Sequence, residues 1–408
     1  MYITRHLEQT LLEAATQYPV IMLCGQRQVG KSTLLNHLKE PQRKYLSLDD
    51  YQVLSLALSD PKLFFETYPG PLIIDEIQRA PGLLLEIKRL VDDQKLRGQP
   101  CAGQFWLTGS QKFNMMPGIT DSLVGRVAVL ELPGLSRAEI CGAKAELFTP
   151  DITALRERLD SRAPLDTAAL YESIFTGCMP QVVTSELKPD RFYANYVYTY
   201  LERDVREMGN VGKLREFYVF LAALAARTAQ ELKYDELATI AGVSAPTVKT
   251  WISVLEAMGI VYILPPYASN LTKRLIKTPK LYFMDTGLVS YLCRWPDSLT
   301  LQYGAMDGAI LENYVVTEIV KSYQNSGLRP DLYYYRDLEQ REVDLLISKG
   351  DCLYPIEIKK NAHPHSPIRN FKALEKLSHK VMPGLIICLS DKLIPSSKEL
   401  WLCPVAAL

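Results

Sequence analysis

Residues 19–33 read PVIMLCGQRQVGKST, and their second half fits the pattern Gly-x4-Gly-Lys-Ser. The apolar run before Gly25 is typical of a buried strand, and apolar residues recur at helical spacing after Ser32. Glycines at both ends of such a loop let its N–H groups approach phosphate oxygens, and the start of a helix favours anions. The residues therefore predicted to bind nucleotide phosphates are Gly25, Gln26, Arg27, Gln28, Val29, Gly30, Lys31, Ser32 and Thr33.

Two side chains of this phosphate-binding loop have distinct predicted roles. Lys31 would place a positive charge at the β- and γ-phosphates, and the Ser32 hydroxyl would ligate Mg²⁺. A chance match within a glycine-containing turn is the alternative interpretation. The apolar strand before the loop and the helix after it argue against that alternative.

A pair of acids follows another apolar strand downstream. Residues 71–76 read PLIIDE, so a buried strand would deliver Asp75 and Glu76 to the edge of a sheet. Asp75 is predicted to hold Mg²⁺, directly or through water, and Glu76 to polarise the water that attacks the γ-phosphate. Strands that end in acids are common. This pair therefore indicates a nucleotide site only because a phosphate-binding loop lies upstream of it.

A polar strand end is predicted to lie between the phosphate-binding loop and the two acids. Residues 104–108 form the expected strand, and Gly109, Ser110 and Gln111 follow it. Ser110 and Gln111 are the candidates for orienting the attacking water, and Thr108 is a less favoured one. An ordinary turn after a strand is the alternative.

Arginine residues that would contact the γ-phosphate are harder to assign. Arg126 stands just before a fifth apolar strand. It would face the γ-phosphate of its own or a neighbouring subunit, or simply pair with an acid on the surface. Arg203 is a second candidate for an arginine that reaches a phosphate in a neighbouring subunit, or it would pair with neighbours of Asp204.

The order of these motifs resembles that of a known group of ATPases. The phosphate-binding loop is followed by LIIDEIQ at 72–78, LTGS at 107–110 and SLVGR at 122–126. Strands that alternate with helical segments also predict an α/β fold, with a doubly wound parallel sheet and the nucleotide at its carboxyl ends. The pattern is similar to the AAA-type P-loop ATPases of bacteria and archaea, in particular the group with a C-terminal domain of unknown function, DUF4143. This resemblance covers nearly the whole chain and implies ATP as the nucleotide, in agreement with the absence of an Asn/Thr-Lys-x-Asp guanine-reading motif.

Composition limits the classes to which the chain belongs. With 408 residues, it is expected to form about two to four domains. Lys and Arg together number 46, as do Asp and Glu, so any contact with nucleic acid must come from local patches. The eight cysteines include no CxxC pair, which favours reduced thiols in the cytoplasm over a disulfide framework or a zinc site. Because neither a signal peptide nor a membrane-spanning apolar run is evident, we expect a soluble protein without a membrane segment.

The middle of the chain is predicted to be helical. Residues 135–215 would form a helical region with one strongly aromatic helix, for which core packing is favoured over stacking on nucleic-acid bases. Residues 216–290 have the pattern of a helix-turn-helix with Ser244 as an N-cap. A strand and a returning segment rich in basic residues follow and would form the wing of a winged helix. The basic patch on this wing would contact DNA, although a winged helix that packs against protein fits nearly as well. The patch comprises Lys273, Arg274, Lys277 and Lys280.

The last part of the chain carries a second candidate site. Asp344, then twelve residues, then Glu357-x-Lys359 resembles the sites of the restriction-endonuclease superfamily. Asp344 and Glu357 on adjacent strands would hold a divalent metal, and Lys359 would face the same side as Glu357 because strand side chains alternate. Glu312 or Glu318 would supply a further acid from the preceding helix. The alternatives are an ordinary surface hairpin and a domain that keeps the fold but only binds.

The predicted domains are an ATPase core at 1–134, a helical region at 135–215, a winged helix at 216–290 and a smaller α/β restriction-endonuclease-like domain at 291–408. Together they predict a Mg²⁺-dependent ATPase that drives or gates a winged helix and a nuclease-like domain acting on DNA or RNA. The alternative is an ATP-dependent regulatory switch whose C-terminal module is catalytically silent and binds protein or DNA. A structural role in a toxin–antitoxin or defence system is a third option, without direct support in the sequence. A homo-oligomer also stays open, since ring assembly would need a trans arginine.

Overall fold

The structure, a computed structural model, describes residues 2–110, 123–201, 214–268, 278–365, 368–377 and 379–408. The chain divides into two units. The first comprises Met1–Leu135, Ala257–Gly259 and Gln324–Leu328, and the second comprises Ser136–Glu256, Ile260–Tyr323 and Arg329–Leu408. Some residues singled out by the sequence lie outside the described residues, namely Gln111, Arg203, Lys273, Arg274 and Lys277.

The first unit alternates helices with strands. Its helices are α1 (Leu7–Gln17), α2 (Lys31–Leu38), α3 (Tyr51–Ser59), α4 (Pro61–Thr67) and α5 (Leu83–Leu96). Its strands are β1 (Val20–Cys24), β2 (Lys44–Ser47), β3 (Leu72–Asp75), β4 (Phe105–Gly109) and β5 (Val127–Glu131). A 3₁₀ turn, Ile77–Arg79, follows β3.

The strands of the first unit form one parallel sheet in the order β2-β3-β4-β1-β5. β4 pairs with both β1 and β3, so it separates the strand before the phosphate-binding loop from the strand that ends at Asp75. Because parallel strands end at the same edge, the loop after β1 meets the ends of β3 and β4 there. The predicted α/β fold with a parallel P-loop sheet is confirmed.

Burial explains why short apolar runs become the central strands of this sheet. Every residue of β1, β3 and β4 is buried. Continuous burial is typical of parallel strands whose two faces are both covered. β2 lies at an edge of the sheet and carries partly exposed residues instead.

The second unit begins with helices and ends with a mixed sheet. Its helices are α6 (Arg137–Ile140), α7 (Ile152–Ser161), α8 (Thr167–Thr176), α9 (Pro180–Thr184), α10 (Pro189–Tyr196), α11 (Leu214–Ala225), α12 (Tyr234–Ala241), α13 (Ala245–Ala257), α14 (Thr286–Leu292), α15 (Ser298–Gln302), α16 (Asp307–Asn325) and α17 (Ile368–Lys372). Its strands are β6 (Gln230–Glu231), β7 (Val261–Leu264), β8 (Lys280–Phe283), β9 (Leu332–Arg336), β10 (Glu342–Lys349), β11 (Cys352–Lys359), β12 (Lys380–Val381), β13 (Gly384–Cys388), β14 (Ile394–Ser397) and β15 (Leu400–Pro404). Shorter helical turns are Val197–Leu201, Ala373–Lys376 and Val405–Ala407. None of the described helices combines the length and the apolar character needed to cross a bilayer.

The aromatic residues of α10 pack inside the second unit. Phe192, Tyr193 and Tyr196 are buried. The Tyr193 hydroxyl donates to Asp285 Oδ1 at 2.7 Å. Tyr198, in the following turn, is exposed. Core packing, the favoured interpretation of this aromatic helix, is confirmed for the three buried rings.

A short turn joins α12 to α13, and a small antiparallel sheet follows in the order β6-β8-β7. Gly242 directly follows α12, and its φ of 67° lies in the left-handed region that favours glycine. Ser244 caps α13, because its Oγ accepts the N–H of Thr247 at 3.3 Å. The predicted helix, turn and helix are therefore present.

The C-terminal sheet has the order β14-β15-β13-β11-β10-β9, with β12 beside β11. β9, β10 and β11 are antiparallel, whereas β11, β13 and β15 run parallel. Where β10 pairs with β9, the register shifts between Val343 and Leu346. Such a bulge re-aims the side chains around it, and Asp344 lies within it.

Candidate functional site

The phosphate-binding loop turns at two glycines for different reasons. Gly25 has a φ of 149°, and a Cβ there would overlap the carbonyl oxygen of Leu132. Gly30 has a φ of 94°, in the left-handed region, and immediately precedes α2. The loop thus passes from β1 into the N-terminus of a helix, whose N–H groups favour anions.

Lys31 lies buried against the loop that contains it. Its Nζ donates to the carbonyl oxygens of Gly25 at 2.9 Å and Gln26 at 2.7 Å. Burial lowers the pKa of Lys31, and the nearby Glu76 and Asp75 oppose that shift. A phosphate would give this ammonium group a fully charged partner, so the geometry suits an anionic ligand.

The side-chain oxygens of Ser32 and Asp75 lie in contact beside the loop. Ser32 Oγ donates to Asp75 Oδ1 at 2.8 Å. Mg²⁺ in phosphate sites usually takes one or two carboxylates and completes its shell with phosphate oxygens and waters. Among the residues that the structure describes, no three His, Cys, Asp or Glu side chains form a metal-binding group. A nucleotide would therefore have to supply part of the shell, and the hydroxyl–carboxylate pair fits that arrangement.

Two further hydroxyls hold Asp75 in place. Thr108, at the end of β4, donates to Asp75 Oδ1 and accepts the backbone N–H of Glu76 at 3.0 Å. Tyr45, on β2, donates to Asp75 Oδ2 at 2.7 Å. Burial and the neighbouring carboxylate raise the pKa of Tyr45, so it stays a donor. The sequence signal for Thr108 is a polar residue inside an apolar strand, whereas nothing in the sequence pointed to Tyr45.

Glu76 follows β3 with a φ of 58°, a left-handed conformation that is uncommon for a residue with a side chain. Gln78 Nε2 donates to Glu76 Oε2, and Arg27 Nη1 lies 3.8 Å from Glu76 Oε1. Gln78 also donates to Ser110 Oγ at 3.2 Å. Ser110 is therefore linked to Glu76 through Gln78, a residue that sequence reasoning did not single out. The role of Ser110 in orienting water stays a prediction.

Arg126 lies at the wrong edge of the sheet to reach a nucleotide on its own phosphate-binding loop. Val127 pairs with Val20, so Arg126 stands level with the start of β1. The loop follows the other end of that strand, roughly 13 Å further on at about 3.3 Å per residue. The Arg126 guanidinium instead pairs with Asp92 through contacts of 2.6 Å and 2.9 Å. The interpretation in which Arg126 faces its own γ-phosphate is wrong, and a role toward a neighbouring subunit stays a prediction.

Arg5 supports the loop from outside the motif. This buried side chain donates through Nη1 to the carbonyl oxygen of Val29 at 2.8 Å and through Nη2 to that of Pro133 at 2.7 Å. It thereby ties the phosphate-binding loop to the segment that follows β5. Its partners lie 24 and 128 residues away along the chain, so no local sequence pattern predicts these hydrogen bonds.

The C-terminal acids and lysine come together. Leu345 pairs with Ile356 in the register of β10 and β11, which places Asp344 beside Glu357. Lys359 Nζ lies 2.7 Å from Glu357 Oε2 and 3.4 Å from Asp344 Oδ2. The structure thus brings together the three side chains that the spacing singles out.

Burial sets the electrostatics of this C-terminal cluster. Asp344 and Glu357 are both buried. Burial and the charge of Asp344 raise the pKa of Glu357 to about 8, although Lys359 opposes the shift. Burial alone would lower the pKa of Lys359, but the two carboxylates outweigh it and raise that pKa. Crowded carboxylates of this kind gain from an additional positive charge, so a divalent cation fits the donor set.

Of the two acids on α16, Glu312 is the one that interacts electrostatically with Asp344 of this cluster. Glu312 Oε1 accepts a hydrogen bond from Lys280 Nζ at 3.1 Å. Burial raises the pKa of Glu312 to about 7, Lys280 opposes the shift, and Asp344 adds to it. Glu318 is paired with Lys321 at 2.8 Å. Glu312 is therefore the acid that the structure leaves as a candidate.

Lys280 does not belong to an exposed basic patch. It is 4% exposed, and its Nζ lies 3.1 Å from Glu312 Oε1 and 2.6 Å from Glu342 Oε1. Both carboxylates neutralise the ammonium group, so it is not available to a nucleic-acid phosphate. The prediction that Lys280 contributes to DNA contact is wrong, and the other three members of the patch lie outside the described residues.

Three family models match successive parts of the chain. Residues 17–141 match an AAA domain, and this range contains the phosphate-binding loop with Asp75 and Glu76. Residues 307–408 match the domain of unknown function DUF4143, which contains the C-terminal cluster. These two matches confirm the resemblance to the AAA-type P-loop ATPases with a C-terminal DUF4143 domain. Between the two regions of this AAA–DUF4143 chain, residues 167–299 match a further domain of unknown function, DUF8612.

Sequence relatives and solved structures add context for the AAA–DUF4143 chain. Uncharacterised proteins of Mycobacterium tuberculosis and Mycobacterium bovis are each 28% identical over 364 residues, which cover 87% of this chain and 73% of theirs. A Walker-type ATPase of Pyrococcus abyssi aligns with a TM-score of 0.41 and 16% identity over 70% of this chain and 94% of its own. AMPPCP-bound DnaA from Aquifex aeolicus aligns with a TM-score of 0.29 and 16% identity over 61% and 85% of the respective chains.

Proposed function

We propose that the AAA–DUF4143 chain binds and hydrolyses ATP with the help of Mg²⁺. The observation that carries the proposal is the contact between Ser32 Oγ and Asp75 Oδ1 at the phosphate-binding loop, with Glu76 as the next residue. Phosphoryl transfer needs groups that hold the phosphates and the metal, and a group that orients the nucleophile. Lys31, the Ser32–Asp75 pair and Glu76 supply these groups at one edge of one sheet.

The proposed reaction assigns each of these side chains a step. The loop N–H groups bind the phosphates, and Lys31 moves from the loop carbonyls to the β- and γ-phosphates. Ser32 and Asp75 would hold Mg²⁺, which supplies positive charge to the phosphate oxygens. Glu76 accepts the proton of a water whose oxygen bonds to the γ-phosphorus. The bond from that phosphorus to the bridging oxygen breaks, its electron pair stays on ADP, and the proton passes to the released phosphate.

Two variants separate binding from chemistry in this proposal. Lys31→Ala is expected to lose both the binding of mant-ATP, a fluorescent ATP analogue, and phosphate release. Glu76→Gln is expected to bind mant-ATP but to lose turnover by about 100-fold or more, the usual contribution of a general base. Lys95→Ala, which removes an exposed lysine of α5, is the matched control. Turnover that persists in a folded Lys31→Ala variant would contradict the assignment.

A second proposed activity belongs to the C-terminal cluster, which we infer hydrolyses phosphodiester bonds of DNA or RNA. The support is the convergence of Lys359 on both carboxylates, at 2.7 Å and 3.4 Å. Asp344 and Glu357 would hold a divalent metal, which would activate water and neutralise the scissile phosphate. Lys359 would stabilise the charge that develops on the phosphate, and Glu312 would add a further acid.

Incubation with nucleic acids tests this second activity directly. Linear, supercoiled and single-stranded DNA, and RNA, are incubated with Mg²⁺ or Mn²⁺, with and without ATP. Cleavage is expected with the native chain and not with Asp344→Asn. Asp351→Asn makes the same change at an exposed residue of the β10–β11 turn and is expected to cleave normally. If no substrate is cleaved, the ATP-dependent switch with a binding-only C-terminal module replaces the nuclease proposal.

The helix-turn-helix formed by α12 and α13 is the proposed contact with nucleic acid. Its second helix exposes Lys249 and Thr250, and the turn before it is short. We expect Lys249→Ala to weaken the binding of a labelled DNA duplex, measured by fluorescence anisotropy at fixed salt. Lys398→Ala, at an exposed lysine of the C-terminal domain, serves as the control. Equal affinities of the two variants would favour a helix-turn-helix that packs against protein.

A further inference from the structure

We infer that the ammonium group of Lys280 occupies the position that a second divalent cation would take beside the C-terminal cluster, so that the cluster holds a single ion. This inference rests on the proposed cleavage of phosphodiester bonds and deepens it. Many nucleases use two metal ions about 3.5–4 Å apart. A buried ammonium group supplies positive charge in such a position without any metal being bound there.

Lys280 is enclosed by carboxylates that come from different elements. Its Nζ lies 3.1 Å from Glu312 Oε1 on α16 and 2.6 Å from Glu342 Oε1 on β10. Burial alone would lower the pKa of Lys280, but Glu312, Asp344 and Glu342 outweigh burial and raise it. Lys280 therefore stays charged and neutralises the acids beside Asp344, as a bound metal ion would.

Glu312 is held by hydrogen bonds from two side chains. Its Oε1 accepts from Lys280 Nζ at 3.1 Å and from the Tyr282 hydroxyl at 2.8 Å. Burial and the charge of Glu312 raise the pKa of Tyr282, so the hydroxyl stays protonated. In the part of the chain that the structure describes, no three His, Cys, Asp or Glu side chains form a metal-binding group. The ligands that the protein offers to an ion are then Asp344 and Glu357, and Glu312 is a positioning residue that acts through Lys280.

The formal charges around Asp344 match a single divalent ion. The ammonium groups of Lys280 and Lys359 are outnumbered by four carboxylates, namely those of Asp344, Glu357, Glu312 and Glu342. Arg336 also lies 3.7 Å from Glu342 Oε2, but Glu231 balances that guanidinium at 3.0 Å. With every group ionised, the set lacks two positive charges, which one divalent cation supplies. A second divalent cation would make the set net positive and would have to displace Lys280 from both of its partners.

Removal of the ammonium group should therefore open the second position. Lys280→Met keeps an unbranched apolar chain and deletes the charge, so Glu312 and Glu342 lose their shared counter-ion. Buried carboxylates that lose their counter-ion are costly, and binding of a divalent cation to them offsets that cost. We expect Lys280→Met to bind two ions where the native chain binds one.

The experiment counts the Mn²⁺ ions bound to each full chain by electron paramagnetic resonance. Nucleotide is left out, because the phosphate-binding loop needs phosphate oxygens to complete a metal shell. The native chain is expected to bind one ion and Asp344→Asn none. Lys280→Met is expected to bind two, with the spin–spin broadening of ions about 4 Å apart. Lys349→Met makes the same change at an exposed lysine of β10 and should bind one ion.

Three results would overturn the inference. These are two ions in the native chain, one ion in a folded Lys280→Met variant, and a second ion without spin–spin broadening, which would lie elsewhere. Should Lys280→Met fail to fold in a thermal melt, Glu312→Gln supplies the test. It should keep one bound ion and lose about 10–100-fold in affinity, the usual cost of removing a group that supports a metal ligand. Complete loss of the ion in folded Glu312→Gln would make Glu312 a ligand and would overturn the inference.

Counting ions also separates the inference from the proposed cleavage of nucleic acid. A native chain that binds no Mn²⁺ overturns the inference and removes the metal from the nuclease proposal. One ion in the native chain and two in Lys280→Met, without cleavage of any nucleic acid, would support the inference and contradict the nuclease proposal alone.

Discussion

Thr108 is the side chain on which the geometry of both nucleotide-site acids depends. Its hydroxyl donates to Asp75 and accepts the N–H of Glu76 at 3.0 Å. Thr108→Val keeps the shape of the side chain and removes the hydroxyl. We expect ATP turnover to fall about 10–100-fold, the usual effect of losing a group that orients a metal ligand. Phosphate release at varied Mg²⁺ should also show a higher Mg²⁺ requirement, because Asp75 loses a donor.

The serine variant provides the control for this residue. Thr108→Ser keeps the hydroxyl and loses only a methyl group, so it should stay close to the native turnover and Mg²⁺ requirement. Binding of mant-ATP without Mg²⁺ should be similar in both variants, since neither change touches the loop. Equal turnover of the valine and serine variants would show that the hydroxyl does not support catalysis.

At the level of elements, local sequence signals predict the strands and helices of the nucleotide domain. They do not predict the register in which the strands pair. β1, β3 and the start of α2 follow from apolar runs and a glycine-containing motif, which need no knowledge of distant residues. The register of β3 and β4 is different, because Ile74 pairs with Leu107 and thereby sets Thr108 level with Asp75. Sequence reasoning favoured Ser110 because it follows the strand. Only the pairing of two strands separated by a helix shows that Thr108 reaches the acid.

The β10–β11 hairpin gives a prediction about pH. The pKa of Glu357 is raised from 4.5 to about 8, first by burial and then by Asp344. The folded chain therefore binds this proton more tightly than the unfolded chain does, so the stabilisation is complete below the unfolded pKa and is lost as pH rises through about 8. Glu357→Gln cannot ionise. The melting temperature of Glu357→Gln should exceed that of the native chain by a margin that grows as the pH rises from 4.5 to about 8.

Thermal melts without divalent metal, from mildly acidic to mildly alkaline pH, measure that margin. Glu339→Gln makes the same change at an exposed acid and should show no such trend. A margin between Glu357→Gln and the native chain that does not vary with pH would contradict the raised pKa.

At the scale of the whole molecule, contacts between distant residues join segments that the sequence separates. The predicted segments 216–290 and 291–408 fall largely within the second unit. Lys280 of β8 lies 2.6 Å from Glu342 of β10, and the N–H of Tyr267 donates to the carbonyl oxygen of Tyr334 at 2.6 Å. A buried lysine between two carboxylates has no periodic or motif signature. The sequence pattern therefore gives no sign that Lys280 is buried or that β8 contacts the C-terminal sheet.

Communication between the two proposed activities can be tested by thermodynamic reciprocity. If ATP binding changes the affinity of the chain for DNA by some factor, DNA must change the affinity for ATP by the same factor. We expect a shared factor of about 5–150, the usual range of coupling between sites.

The double variant Glu76→Gln, Lys359→Ala removes the proposed chemistry at both sites, so only binding equilibria are measured. Anisotropy of a labelled oligonucleotide with and without ATP gives one factor, and mant-ATP titration with and without the oligonucleotide gives the other. If both factors equal one, neither ligand changes the affinity for the other and the two activities are independent. The proposal that the ATPase drives the C-terminal domain would then fail. Equal factors above one would show that ATP acts through a change in binding equilibrium, which an ATPase needs if it is to gate a second site.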